Sequence, residues 1–144
     1  MQDAFQTFAF GVELRLTTAS EGGRSSPLSG DAITEARFAY RANWGLPGVT
    51  APGQTGAPVL AFSQEPVEPG DEVRAVIVVP YPQTVPDWAA VEVGDVLPMY
   101  EGSRVCGHGR IAWRRQTLLP LPAEVQDAFM AWIVSADRRG APDE

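Results

Sequence analysis

Phe8, Phe10, Val12, Leu14 and Leu16 alternate with Ala9, Gly11, Glu13, Arg15 and Thr17. A period of two is what a strand with one buried face requires, because successive side chains point to opposite faces. The run breaks at Glu21-Gly22-Gly23-Arg24, where paired glycines accept the positive φ of a tight turn. Ala36, Phe38, Tyr40 and Ala42 then alternate with Arg37, Ala39, Arg41 and Asn43, a second strand with a basic outer face. Short alternating runs cut by turns are what remains when Gly 14 and Pro 13 punctuate 144 residues. That content favours many short strands and turns over long helices.

Asn43 to Pro58 is rich in Gly, Pro and Thr and reads as a long loop with Trp44 and Leu46 exposed or folded back. Pro58 to Ser63 is a short strand. Pro69-Gly70-Asp71 is a turn, and Glu72 to Val79 is apolar enough to be the most buried strand. Pro80, Pro82 and Pro86 make a rigid connector, with one turn of helix near Asp87 to Ala90. Val91 to Tyr100 and Arg104 to Trp113 form a hairpin about Glu101-Gly102-Ser103. After Pro120 and Pro122 the period changes. Val125, Ala128, Phe129, Trp132, Ile133 and Ala136 recur at helical spacing, with Arg138 and Arg139 at the expected end and Gly140 as the stop. Six short strands with turn punctuation predict an all-β barrel or sandwich over 1–117, with a C-terminal α-helix and tail over 118–144 packed on it.

Three motifs succeed one another in this frame: Glu21-Gly22-Gly23-Arg24-Ser25-Ser26-Pro27, Pro69-Gly70-Asp71, and Glu101-Gly102-Ser103-Arg104 with Gly107-His108-Gly109 after it. In order and on these strands they resemble the third domain of translation elongation factor Tu, from about Phe8 to Arg114. With the strands and turns, the resemblance implies a closed six-stranded antiparallel β-barrel over 1–117; in that family the barrel borders the T-stem of aminoacyl-tRNA and packs on a GTP-binding domain. Carried over by position, Arg37, Gly107, His108 and Gly109 would lie at the tRNA surface. The chain departs from that family in its acidity, in the Asn43 to Pro58 segment and in the added helix. It has no Walker-type Gly-Lys-Ser/Thr sequence and no Lys at all, which excludes GTP hydrolysis by a phosphate-binding loop.

Cys106 and His108 are the only Cys and the only His. At i and i+2 on a regular strand they share a face, so a thiolate–imidazole pair is geometrically conceivable; a small strand residue and a surface imidazole are the plainer reading. Two such ligands are too few for a metal site. Glu65, Glu68, Asp71 and Glu72 surround one turn and read as a solvated loop. Arg37, Arg41, Arg104, Arg110, Arg114 and Arg115 could form a basic patch, with Arg110 and Arg114 on one face and Trp113 and Arg115 on the other; pairing with Glu13, Glu35 and Glu92 would neutralise it. Phe8, Phe10, Phe38, Tyr40 and Phe62 stand at core spacing. Trp44, Tyr81, Trp88 and Tyr100 lie in or beside Pro-rich segments, either as interface anchors or as caps on the barrel.

A net charge of −7 repels phosphate backbones at long range and disfavours nucleic acid as sole partner. The start of the chain lacks a basic leader, the single Cys excludes an internal disulfide, and no apolar run is long enough to span a membrane. The expectation is a cytoplasmic, non-enzymatic binding module without a cofactor. Its partner is a protein of the translation machinery, or a toxin for which the chain is a decoy or immunity factor. The alternative is an RNA- or tRNA-binding protein. The candidate contact residues are Arg37, Arg41, Trp44, Arg104, Gly107, His108, Gly109 and Arg110. A monomer is favoured over a homodimer, because the short Pro120-Leu121-Pro122 hinge directs the apolar helix stripe back onto its own barrel.

Overall fold

The structure, a computed structural model, describes residues 5–28, 40–47, 54–64, 66–80, 82 and 85–135. Its strands are β1 (Phe5–Leu16), β2 (Tyr40–Trp44), β3 (Thr55–Phe62), β4 (Glu72–Val78), β5 (Val96–Glu101) and β6 (Arg104–Leu119), with helix α1 (Ala123–Val134) after them. They close into an antiparallel barrel in the order β1-β4-β3-β2-β5-β6. The expected fold class is therefore what the chain adopts. Closure removes the free sheet edges that a small β protein must otherwise protect.

The alternating residues of β1 fill the barrel as their period demands. Phe10, Val12, Leu14 and Leu16 point inward and join Ala42, Trp44, Val59, Ala75, Ile77, Leu97, Met99 and Ile111 in one core. Trp88, on a short 3-10 helix at Pro86–Ala90, closes one mouth with its ring 5.6 Å from that of Phe10. It caps the barrel rather than standing as a surface anchor. A second core lies outside the barrel wall. Ala9, Leu60, Ala61, Val76, Val78 and Trp113 pack beneath Val125, Phe129, Trp132 and Ile133 of α1. This explains why Glu72–Val78 is apolar on both faces. Val73, Ala75 and Ile77 face the barrel interior, whereas Val76 and Val78 lie beneath the helix.

Three expectations are corrected. The segment expected as a loop from Asn43 to Pro58 is strand at both ends, because β2 runs to Trp44 and β3 starts at Thr55. Trp44 is fully buried in the barrel, and its indole N–H donates to the Ala57 carbonyl at 3.1 Å. The helix ends at Val134, short of Gly140. Its last turn carries no basic residue of its own; instead Arg74 of β4 donates to the Trp132 carbonyl at 2.9 Å and to that of Ser135. The guanidinium lies 4.7 Å from the Trp132 ring centre, so one side chain bonds two carbonyls at the helix end, opposes the helix dipole and stacks on an aromatic face. Arg37, Phe38, Tyr81, Arg138, Arg139 and Gly140 lie outside the described residues.

Candidate interaction surface

The three turn motifs converge. Leu16 leaves β1 and donates its N–H to the Asp71 carbonyl at 3.0 Å, and Gly70 returns an N–H to the Leu16 carbonyl at 2.9 Å. Thr17 donates to the Cys106 carbonyl at 3.1 Å. Arg24 pairs with Glu101, and also donates to the carbonyls of Ser26 at 3.1 Å and Pro27 at 3.0 Å. Arg104 reaches the Gly23 carbonyl at 3.4 Å. The turns that carried the resemblance therefore form one connected polar cluster, built from segments far apart in the chain.

Each motif residue has a local reason. Thr18 and Glu21 make a reciprocal capping box on the 3-10 turn Ala19–Glu21. Gly22 ends that turn at φ 95°. Gly23 is required for space instead, since a Cβ there would meet Thr17 Oγ1 at 2.1 Å. Gly102 opens the two-residue hairpin loop at φ 63°. Asp71 closes its own turn by accepting from the Glu68 N–H at 2.9 Å and from Gln64 Nε2 at 2.6 Å. Glu68 and Glu72 are exposed, as a solvated loop requires.

Strand β6 breaks its own alternation twice. Met99 faces Gly107 but Tyr100 faces Val105, which leaves Cys106 as an extra residue. Val12 faces Ile111 but Gly11 faces Trp113, which leaves Ala112 as another. Each bulge switches every residue beyond it to the opposite face of the wall. Cys106 is consequently inside the barrel and His108 outside, so no thiolate–imidazole pair is assembled. Burial, aided by the Glu101 charge, pushes the Cys106 thiol up to about 11, the opposite of what a nucleophile needs. Arg110 and Arg114 are likewise separated. Arg110 is on the outer wall, while Arg114 donates to the Ala89 and Val91 carbonyls at 3.0 and 2.7 Å and holds the Trp88 plug. Trp113 is buried beneath α1.

Of the other candidates, Gly107 and Gly109 are buried and make room for the core. A Cβ on Gly109 would meet Val12 Cγ1 at 2.5 Å. Arg41 is exposed on β2. Arg104, His108 and Arg110 are exposed on β6, and they form a surface with the outward residues of β1 and β5. In register across the wall stand Pro98, His108 and Arg15, then Val96, Arg110 and Glu13. Arg110 pairs with Glu13 at 2.9 Å and Arg15 with Glu21 at 3.1 Å. Among the described residues the pairing expected from Glu13 is present, joined by Glu21 and Glu101, while Glu92 forms no ion pair; Glu35 lies outside the described residues. Val96, opposite Arg110 in register, and Val93 are 54% and 59% exposed, apolar surface that the sequence does not single out. The bulges decide which residues share this face, and no local signal announces them.

Among the described residues no three His, Cys, Asp or Glu side chains are placed to hold a metal ion, and no helix is long and apolar enough to cross a membrane. No protein-family model matches the chain, and no curated protein matches it in sequence.

Proposed function

We propose that this protein is a non-enzymatic binding module whose outer wall at β5, β6 and β1 contacts a protein partner. The observation that carries the reading is the charge pattern of that wall. Arg15, Arg24 and Arg110 are each matched to a carboxylate, so the arginines do not form the uniform positive surface that phosphate recognition uses. Exposed Val96 beside the Arg110–Glu13 pair, with Val93 also exposed, sets apolar surface among matched charges, a composition that suits a protein interface. The likeness of its turn motifs to the elongation factor Tu barrel supports a partner in the translation machinery, or a toxin directed at that factor, with the chain acting as decoy or immunity factor.

The test is affinity capture from native lysate with the wild type and with the double variant Val96→Asp, Arg110→Glu. Both positions are exposed, so the variant keeps its fold, checked by circular dichroism. A specific partner retained by the wild type and lost by the variant supports the proposal; one retained by both puts the contact elsewhere and refutes it. Labelled tRNA is titrated in parallel at low and moderate salt. Salt-sensitive binding abolished by Arg110→Glu would establish the RNA reading in its place.

A further inference from the structure

We infer that a cleft lined by β2, β3 and residues Val79, Pro80, Val85 and Trp88 binds a small monocarboxylate with an apolar body. The cleft holds about 380 Å³, within the range of small-ligand sites. Pro58, Val85 and Trp88 contribute apolar surface, and Arg41, Asn43 and Thr55 contribute a guanidinium, an amide and a hydroxyl. Among the described residues lining it, Arg41 is the only ionisable one. In a chain of net charge −7, the described lining of this cleft carries a positive charge and no negative one.

The state of Arg41 points the same way. Arg15, Arg24 and Arg110 are engaged by carboxylates, and Arg74, Arg104 and Arg114 by carbonyls. Among the described residues Arg41 makes no ion pair and no hydrogen bond from its side chain. An exposed guanidinium beside an apolar recess matches a carboxylate at the rim and a hydrocarbon or aromatic body within. The amide and hydroxyl are further groups suited to orienting the head. The site uses different strands from the proposed partner face, so either can fail alone.

Octanoate is the probe, compared with octan-1-ol and inorganic phosphate by calorimetry, with two-dimensional amide NMR to locate binding. The expected result is saturable octanoate binding that shifts the Asn43 and Thr55 amides and the Trp88 indole. Octan-1-ol and phosphate should each bind at least about tenfold more weakly, the loss of one charge-assisted contact or of the apolar one. Arg41→Gln should bring octanoate down to the level of octan-1-ol. Equal affinity for octanoate and octan-1-ol, phosphate binding as tight as octanoate, or octanoate shifts confined to other residues would each overturn the proposal. The ligand comparison needs only the wild type, so it decides the matter even if the variant misfolds.

Discussion

Cys106 shows how far one residue's chemistry depends on its ladder. Its thiol is fully buried, and its proton is held to about 11 against an ordinary 9.0. A group whose acid form is favoured in the fold loses stability for the protein as pH rises from 9.0, where the unfolded thiol ionises, towards 11. Two results are expected. Iodoacetamide at about pH 8, just below the ordinary thiol range, modifies the native protein far more slowly than the urea-unfolded chain, and wild type loses more stability than Cys106→Ala between pH 9 and 11. Equal native and unfolded alkylation rates would contradict the burial. Glu21 runs in the opposite sense. The Thr18 N–H, then the Thr18 hydroxyl and Arg15, hold its carboxyl below 4.5. The capping box therefore contributes above pH 4.5 and is lost as pH falls through the lowered value. In an NMR titration Thr18→Ala should move the Glu21 midpoint up.

At the scale of elements, α1 and β4 are tied by Arg74. Arg74→Met keeps the packed stem but removes the guanidinium from two helix carbonyls. The expected cost is about 1–3 kcal/mol in urea unfolding, and Arg74→Lys should recover only part of it, because an ammonium cannot stack and fork at once. Phe129 is fully buried in the outer core, 5.1 Å from the Trp113 ring; Phe129→Ala should cost about 3–5 kcal/mol. Gly11 is the matching constraint on the wall, since a Cβ there would lie 2.1 Å from Trp113 Nε1. Removing residues 122–144 exposes Leu60, Val76, Val78 and Trp113 together. The remaining barrel should be insoluble or markedly less stable. A stable monomeric barrel recovered from a full-length dimer would mean that α1 serves dimerisation instead.

For the molecule as a whole, the expected outcome of light scattering is a monomer of 15.5 kDa, because the Phe129-Trp132-Ile133 stripe is already buried against its own barrel. Screens for GTP, ATP and ester hydrolysis should remain at background. Much of this architecture was legible in the chain. Alternation in Phe8–Leu16, the helical spacing from Val125 to Ile133 and the turns at Gly22, Gly70 and Gly102 are local properties, set by side-chain period and backbone sterics. The candidate surface was less legible. His108 and Arg110 were placed on the outside, but Trp44 and Gly109 proved to be core, and Val96 gave no signal. The sequence by itself determined most of the strands, the turns at Gly22, Gly70 and Gly102, and a helix after Pro122. Only the tertiary structure decided the two bulges of β6, the burial of Trp44, and the capping of α1 by an arginine on β4. Those features arise where strands of unequal length must share one closed hydrogen-bond ladder and where distant segments must satisfy each other's free carbonyls, and neither condition is written in any local stretch of sequence.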